Sequence, residues 1–142
     1  MISKHFQHHA IAVLILIFAS SSAFSTEKIR LIVETDLGGD KDDQASFVRL
    51  LMYSNEFDIE AIIVDRPNNK FQQDGASSNP TGASDAKDMA YDYIDAYGQV
   101  RGNLIKHKSD YPTVSYLKNV TVWGTDSNND AVNKIIQVVD DS

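Results

Sequence analysis

The chain has 142 residues, 42% hydrophobic and 23% charged, which is ordinary globular composition and enough for one modest domain rather than two. A formal net charge of −7 argues against a protein that tracks nucleic-acid phosphates with a basic stripe, and suits a small, weakly charged or cation-bridged substrate. With no cysteine, disulfides and thiolate metal sites are excluded, and the fold must rest on its core.

Residues 1–25 differ in kind from the rest. Lys4 is followed by an unbroken apolar run from Ala10 to Ala19 and then by Ser20-Ser21-Ser22-Ala23, the pattern of a secretory signal peptide. Cleavage is expected after Ala23 or Ser25, leaving a mature chain from near Thr26 that is secreted or periplasmic. The run is about half the ~20 residues that span a bilayer, so no stable membrane anchor is expected.

Residues 26–142 read as one α/β domain, an open and mostly parallel sheet with flanking helices. Lys28 to Glu34 is short, β-branched and nearly continuous in apolar character, which predicts a buried central strand. From Gln44 to Ser54, the spacing of Phe47, Val48, Leu50, Leu51 and Met52 predicts a helix, with Asp42 or Asp43 available as its cap. Phe57 to Val64 predicts a second strand, completing a strand, helix and strand crossover unit.

Residues 66–82 are polar, carry Pro67, Gly75, Pro80 and Gly82, and read as a long loop. Ser84 is placed to cap a helix in which Ala86, Ala90, Tyr93, Tyr97, Val100 and Leu104 recur, ending near His107. Gly98 and Gly102 each weaken it by roughly 1 kcal/mol relative to alanine. Tyr91, Tyr93 and Tyr97 read as core and rim rather than a sugar-stacking platform. Asn119 to Trp123 predicts a third strand. Ser127 or Asn128 then caps a last helix with Val132, Ile135, Ile136 and Val139 on one face. Asp140-Asp141-Ser142 stands where a fourth strand is expected, so this reads as the N-terminal portion of a longer domain.

Between the first strand and the first helix lie five acids in ten residues, from Glu34 through Asp36, Asp40 and Asp42 to Asp43. Carboxylates so crowded repel one another, and a hard cation is the usual reason for keeping them together. Gly38 and Gly39 permit a turn that returns Asp42 and Asp43 towards Asp36. Ligands of open α/β sheets bind beyond the carboxyl ends of strands, where Asp36 falls. Calcium suits several carboxylates better than magnesium does, and a bound water would be acidified there with a carboxylate to take its proton. The bland alternative is a solvated acidic turn that caps a helix. A phosphotransferase of the haloacid-dehalogenase type would need an aspartate where Gly38 stands. Asp126 to Asp130 opens like a helix-loop-helix calcium loop, but Ala131 and Gln137 occupy the positions of its glycine and bidentate glutamate, so a helix cap is the better reading.

The block Asp36-Leu37-Gly38-Gly39-Asp40-Lys41-Asp42-Asp43-Gln44 with Phe47-Val48-Arg49-Leu50-Leu51 resembles the nucleoside-hydrolase-like domain of secreted bacterial proteins described as cellulose-binding. The resemblance continues through Tyr53 to Glu60, Asp95-Ala96-Tyr97, Asn103-Leu104 and Tyr111-Pro112. It implies calcium-dependent splitting of an N-glycosidic bond through an oxocarbenium-like transition state. On that basis Asp36 would be calcium ligand and water-activating base, Asp43 the second calcium ligand of the loop, and Asp42 a contact to ribose hydroxyls. Asn68, in the polar loop, stands after the second strand, where the hydrolases place a ribose-contacting asparagine. The loop is two residues longer than the hydrolase motif, Asp40 has no counterpart, and Glu34 stands where a further aspartate is common. The family also draws a metal-binding aspartate and leaving-group residues from its C-terminal half, which residues 1–142 do not reach. Two other readings stay open: a non-catalytic module binding carbohydrate, polysaccharide included, and an inactive fragment.

Overall fold

The computed structural model describes residues 27–65, 85–124 and 129–141. Strand β1 spans Ile29–Thr35, helix α1 Lys41–Met52, and a 3-10 turn Ser54–Glu56 leads into β2, Phe57–Val64. Helix α2 spans Ala86–Leu104, α3 Val114–Asn119, β3 Thr121–Trp123 and α4 Asp130–Asp140. The three strands form one parallel sheet in the order β1-β2-β3.

Among the described residues the central strand is therefore β2 and not, as its apolar run predicts, β1. Ala61 to Val64 are all buried, whereas no residue of β1 is, and Ile29 is 70% exposed. A continuous apolar run reports burial on both faces but not which strand has two neighbours, and that information lies in pairings distant in sequence.

Pairing of β1 with β2 runs from Ile29 opposite Phe57 to Thr35 opposite Val64, with an irregularity at Leu31 and Ile32 where Glu60 is the extra residue. Such a bulge re-aims the side chains beyond it. Ile59, Ile62 and Val64 face the larger core, with Leu37, Phe47, Leu51, Met89, Ile94 and Leu117 from the loop and from α1, α2 and α3. Ala61 and Ile63 join Ala131 of α4 in a smaller one. Among the described residues the sheet thus carries three helices on one face and one on the other.

Helix α3 is absent from the sequence reading. Thr113 caps it, accepting from the Tyr116 N–H at 3.1 Å, and Tyr116 Oη donates to the Ile59 carbonyl at 2.9 Å, beside the bulge. Six residues are too few to show a helical period, and valine, tyrosine and leucine there look like strand. Helix α2 is capped by Asp85, whose side chain accepts from the Asp88 N–H at 2.8 Å; Ser84 lies outside the described residues. Its buried stripe is Ala86, Met89, Ala90, Ile94 and Tyr97, while Val100 is 42% exposed. Arg101 holds the following connection in place: its Nη2 donates to the Tyr111 carbonyl at 2.7 Å and its Nε to that of Pro112 at 2.8 Å.

Helix α4 departs most from expectation. It packs through Ala131 and Val138, and the predicted apolar face of Val132, Ile135, Ile136 and Val139 is turned outward, each residue at least 40% exposed. Ser127 and Asn128, the expected caps, lie outside the described residues, and the N-cap is Asn129 in the left-handed region at φ 56°. Among the described residues no helix is long and apolar enough to cross a membrane.

Candidate functional site

The acidic loop is fixed by its one apolar residue. Leu37 is fully buried in the larger core. Around it the backbone turns: the Gly39 N–H donates to the Asp36 carbonyl at 2.8 Å, and Gly38 takes φ 91°, which side chains strongly disfavour. Asp36 is left exposed at the carboxyl end of β1.

Two of the following acids, Asp40 and Asp43, are used locally. Asp40, not Asp42 or Asp43, is the N-cap of α1, and it forms a capping box with Asp43, whose Oδ2 accepts from the Asp40 N–H at 3.0 Å. Asp40, without a counterpart in the hydrolase motif, thus has a structural task here. Asp42 and Asp43 also lie in the first turn of α1, where negative charge meets the positive end of the helix dipole.

A cleft of about 600 Å³ opens between the end of β1 and α1. Glu34, Asp36 and Asp43 line it, with Ser46, Phe47 and Leu50 along one wall. Asp42 is exposed and does not line it, and Asn68 lies outside the described residues. The structure thus brings Asp36 and Asp43 to one cavity and leaves Asp42 on the adjoining surface. Among the described residues none of these acids forms an ion pair, and no three acidic or histidine side chains are gathered closely enough to hold an ion as they stand.

One lining residue escaped sequence reading, Asp65. It directly follows β2, and its N–H donates to the Thr35 carbonyl at 3.1 Å, which sets it beside the residue preceding Asp36. Its Oδ1 is sealed from solvent and has no hydrogen-bond partner. From the far side the backbone of Gly124 presses on it: a Cβ at that position would lie 2.7 Å from Asp65 Cβ and 2.9 Å from its Cα. A lone aspartate before a polar loop carries no signal in sequence, because what distinguishes it is that β1 and β2 are parallel and end together.

A family model described as "Cellulose-binding Sde182, nucleoside hydrolase-like domain" matches residues 30–142. Among solved structures, a nucleoside hydrolase-related hypothetical protein from Saccharophagus degradans, described as associated with carbohydrate metabolism, superposes with a TM-score of 0.59 at 31% sequence identity. The match covers 80% of this chain and 28% of that one, so this chain spans little more than a quarter of that protein's length. No curated protein matches. With a family model covering all of the described residues except the first three, in a parallel sheet whose acidic loop follows its first strand, the chain belongs to the Sde182 nucleoside hydrolase-like family.

Proposed function

We propose that this is an exported, nucleoside-hydrolase-like protein whose cleft is built for cation-dependent hydrolysis of an N-glycosidic or related glycosyl bond in a nucleoside or other small glycoside. The observation that carries the reading is the convergence of Asp36 and Asp43 on one cleft at the carboxyl end of a parallel strand, in a chain of this family. Their oxygen donors match the ligand preference of calcium. Asp36 and Asp43 would hold the ion, which when bound would polarise a water. Asp36, exposed at the cleft mouth, is placed to accept that water's proton, and Asp42 beside it to meet sugar hydroxyls. The signal-like residues 1–25 support a secreted or periplasmic location.

The test is a nucleoside-hydrolysis assay on the protein with calcium and after chelation. Turnover that needs calcium and disappears in Asp36→Ala is expected. Absence of both turnover and calcium binding would refute the reading. A second reading, a non-catalytic carbohydrate-binding module, is favoured by the family's cellulose-binding description and by the lack of a pre-gathered ligand set among the described residues. Retention on insoluble cellulose that survives both Asp36→Ala and chelation would select it.

A further inference from the structure

We infer that the cleft continues along α1 into a second, sugar-binding subsite built on Tyr53, Arg49 and Glu56, so that its substrate is a glycoside carrying a further sugar unit; the inference rests on the glycosyl-bond reading proposed above. A second cavity of about 340 Å³ lies between α1 and the start of β2, where Arg49, Tyr53, Glu56 and Phe57 line it. It shares Ser46 and Leu50 with the cleft that holds Asp36 and Asp43. Asp43, Ser46 and Leu50 line the cleft on successive turns of α1, and Ser46, Leu50 and Tyr53 line the second cavity in the same way, so the two follow one another along the helix. With a rise of ~1.5 Å per residue, Tyr53 stands about 15 Å along α1 from Asp43, further than a single sugar ring reaches.

The groups in this continuation suit a sugar. Tyr53, 60% exposed, is the most exposed aromatic side chain among the described residues. Its backbone N–H donates to the Arg49 and Leu50 carbonyls at 3.1 Å each, which fixes it at the end of α1. An aromatic face left open to water takes the apolar C–H face of a pyranose ring and loses little side-chain freedom in doing so. Arg49 stands one turn earlier on the same side of α1, exposed, and its guanidinium has no partner among the described residues. Its planar fork of donors matches a pair of neighbouring hydroxyls. Glu56 supplies the acceptor. Its Oε1 accepts from the Asn55 side chain and, at 3.3 Å, from Lys108 Nζ, which holds the carboxylate in place and leaves Oε2 to a ligand. Glu56 and the acids of the cleft repel an anionic chain, so the sugar that fits is neutral.

The experiment is calorimetric titration of the full chain, in calcium-containing buffer, with glucose and with cellotetraose, whose β-linked rings present apolar C–H faces and vicinal hydroxyls. It is repeated on Tyr53→Ala, Tyr53→Phe, Arg49→Gln and Asp36→Ala. Cellotetraose is expected to bind about tenfold more tightly than glucose, Tyr53→Ala and Arg49→Gln each to weaken it by about fivefold or more, and Tyr53→Phe to retain it, since the ring is what stacks. Asp36→Ala should weaken it as well, because one chain occupies both parts of the groove. Tyr53→Ala should melt with the parent, as befits an exposed side chain. Equal cellotetraose affinity in the parent, Tyr53→Ala and Arg49→Gln overturns the subsite and leaves the cleft standing. Weakening in Tyr53→Ala with none in Asp36→Ala shows a sugar site detached from the cleft and overturns the continuity. A parent chain that binds no cellotetraose refutes the inference, and its nucleoside turnover then decides the hydrolysis separately. The full binding pattern without calcium-dependent turnover refutes the hydrolysis alone and leaves the extended groove standing.

Discussion

Asp43 carries two demands on one carboxylate. Its Oδ2 accepts from the Asp40 N–H in the capping box, and the same side chain lines the cleft. Replacing Asp43 with alanine is expected to lower stability by about 1 kcal/mol through the lost cap, with or without calcium. Asp36 makes no bond to the helix, so Asp36→Ala is expected to stay within ~0.5 kcal/mol of the parent in calcium-free buffer. Urea unfolding of the two variants checks this, and a larger loss for Asp36→Ala would show that the turn depends on its side chain. The same residues mark what was legible in the loop. Its acids and glycines single the loop out in sequence, but the residue holding it in position is Leu37, which looks incidental there and is fully buried in the structure.

The glycines of α2 separate intrinsic propensity from packing. Gly102 has nothing within 4 Å of where a Cβ would stand, so Gly102→Ala is expected to raise stability by roughly 0.5–1 kcal/mol. At Gly98 a Cβ would lie 2.6 Å from Val114 Cγ2, which places α2 hard against the start of α3. Gly98→Ala should gain the same propensity, lose it to the displacement of Val114, and melt below the parent; a higher melting temperature would show that α3 gives way freely. In helix α4 the apolar period was read correctly, but the residues meeting the sheet, Ala131 and Val138, lie outside that stripe and are few and small. The outward stripe of Val132, Ile135, Ile136 and Val139 forms an exposed apolar surface of the kind that promotes association. The double variant Ile136→Lys, Val139→Lys is expected to keep the parent melting temperature within a degree or two while reducing concentration-dependent light scattering. A large loss of melting temperature would show that the stripe supports the fold.

Local signals in the sequence were enough for β2, whose predicted and observed limits coincide, and for the parallel unit it forms with β1 and α1. They were not enough for the strand order or for Asp65, because both depend on which strand ends lie side by side. Among the described residues β1 lies at an edge of the sheet, and this also sets how the fold responds to acid. Its first residues are held by charge: Lys28 Nζ stands 3.0 Å from Asp110, and Arg30 pairs with Glu60, its Nη2 also donating to the Val138 carbonyl of α4 at 2.7 Å. The hydrogen bond from Arg30 holds the Glu60 carboxyl below the usual range for glutamate, and that from Lys28 does the same for Asp110. A carboxyl whose folded pKa is depressed contributes stability that is present above its unfolded pKa and is lost as the pH falls through the folded value. Both groups are on the surface, so salt screens the effect and its size is modest. The denaturation midpoint of Arg30→Gln should therefore lie furthest below that of the parent above about pH 5, where Glu60 is ionised in either state. The gap should narrow as the pH falls and Glu60 is protonated in both proteins, leaving only the Val138 contact to distinguish them. Urea titrations at a series of pH values would measure it. A gap that stays constant into the acid range would show that Arg30 holds β1 through Val138 alone, and that the edge strand is fastened to α4 rather than by charge to β2.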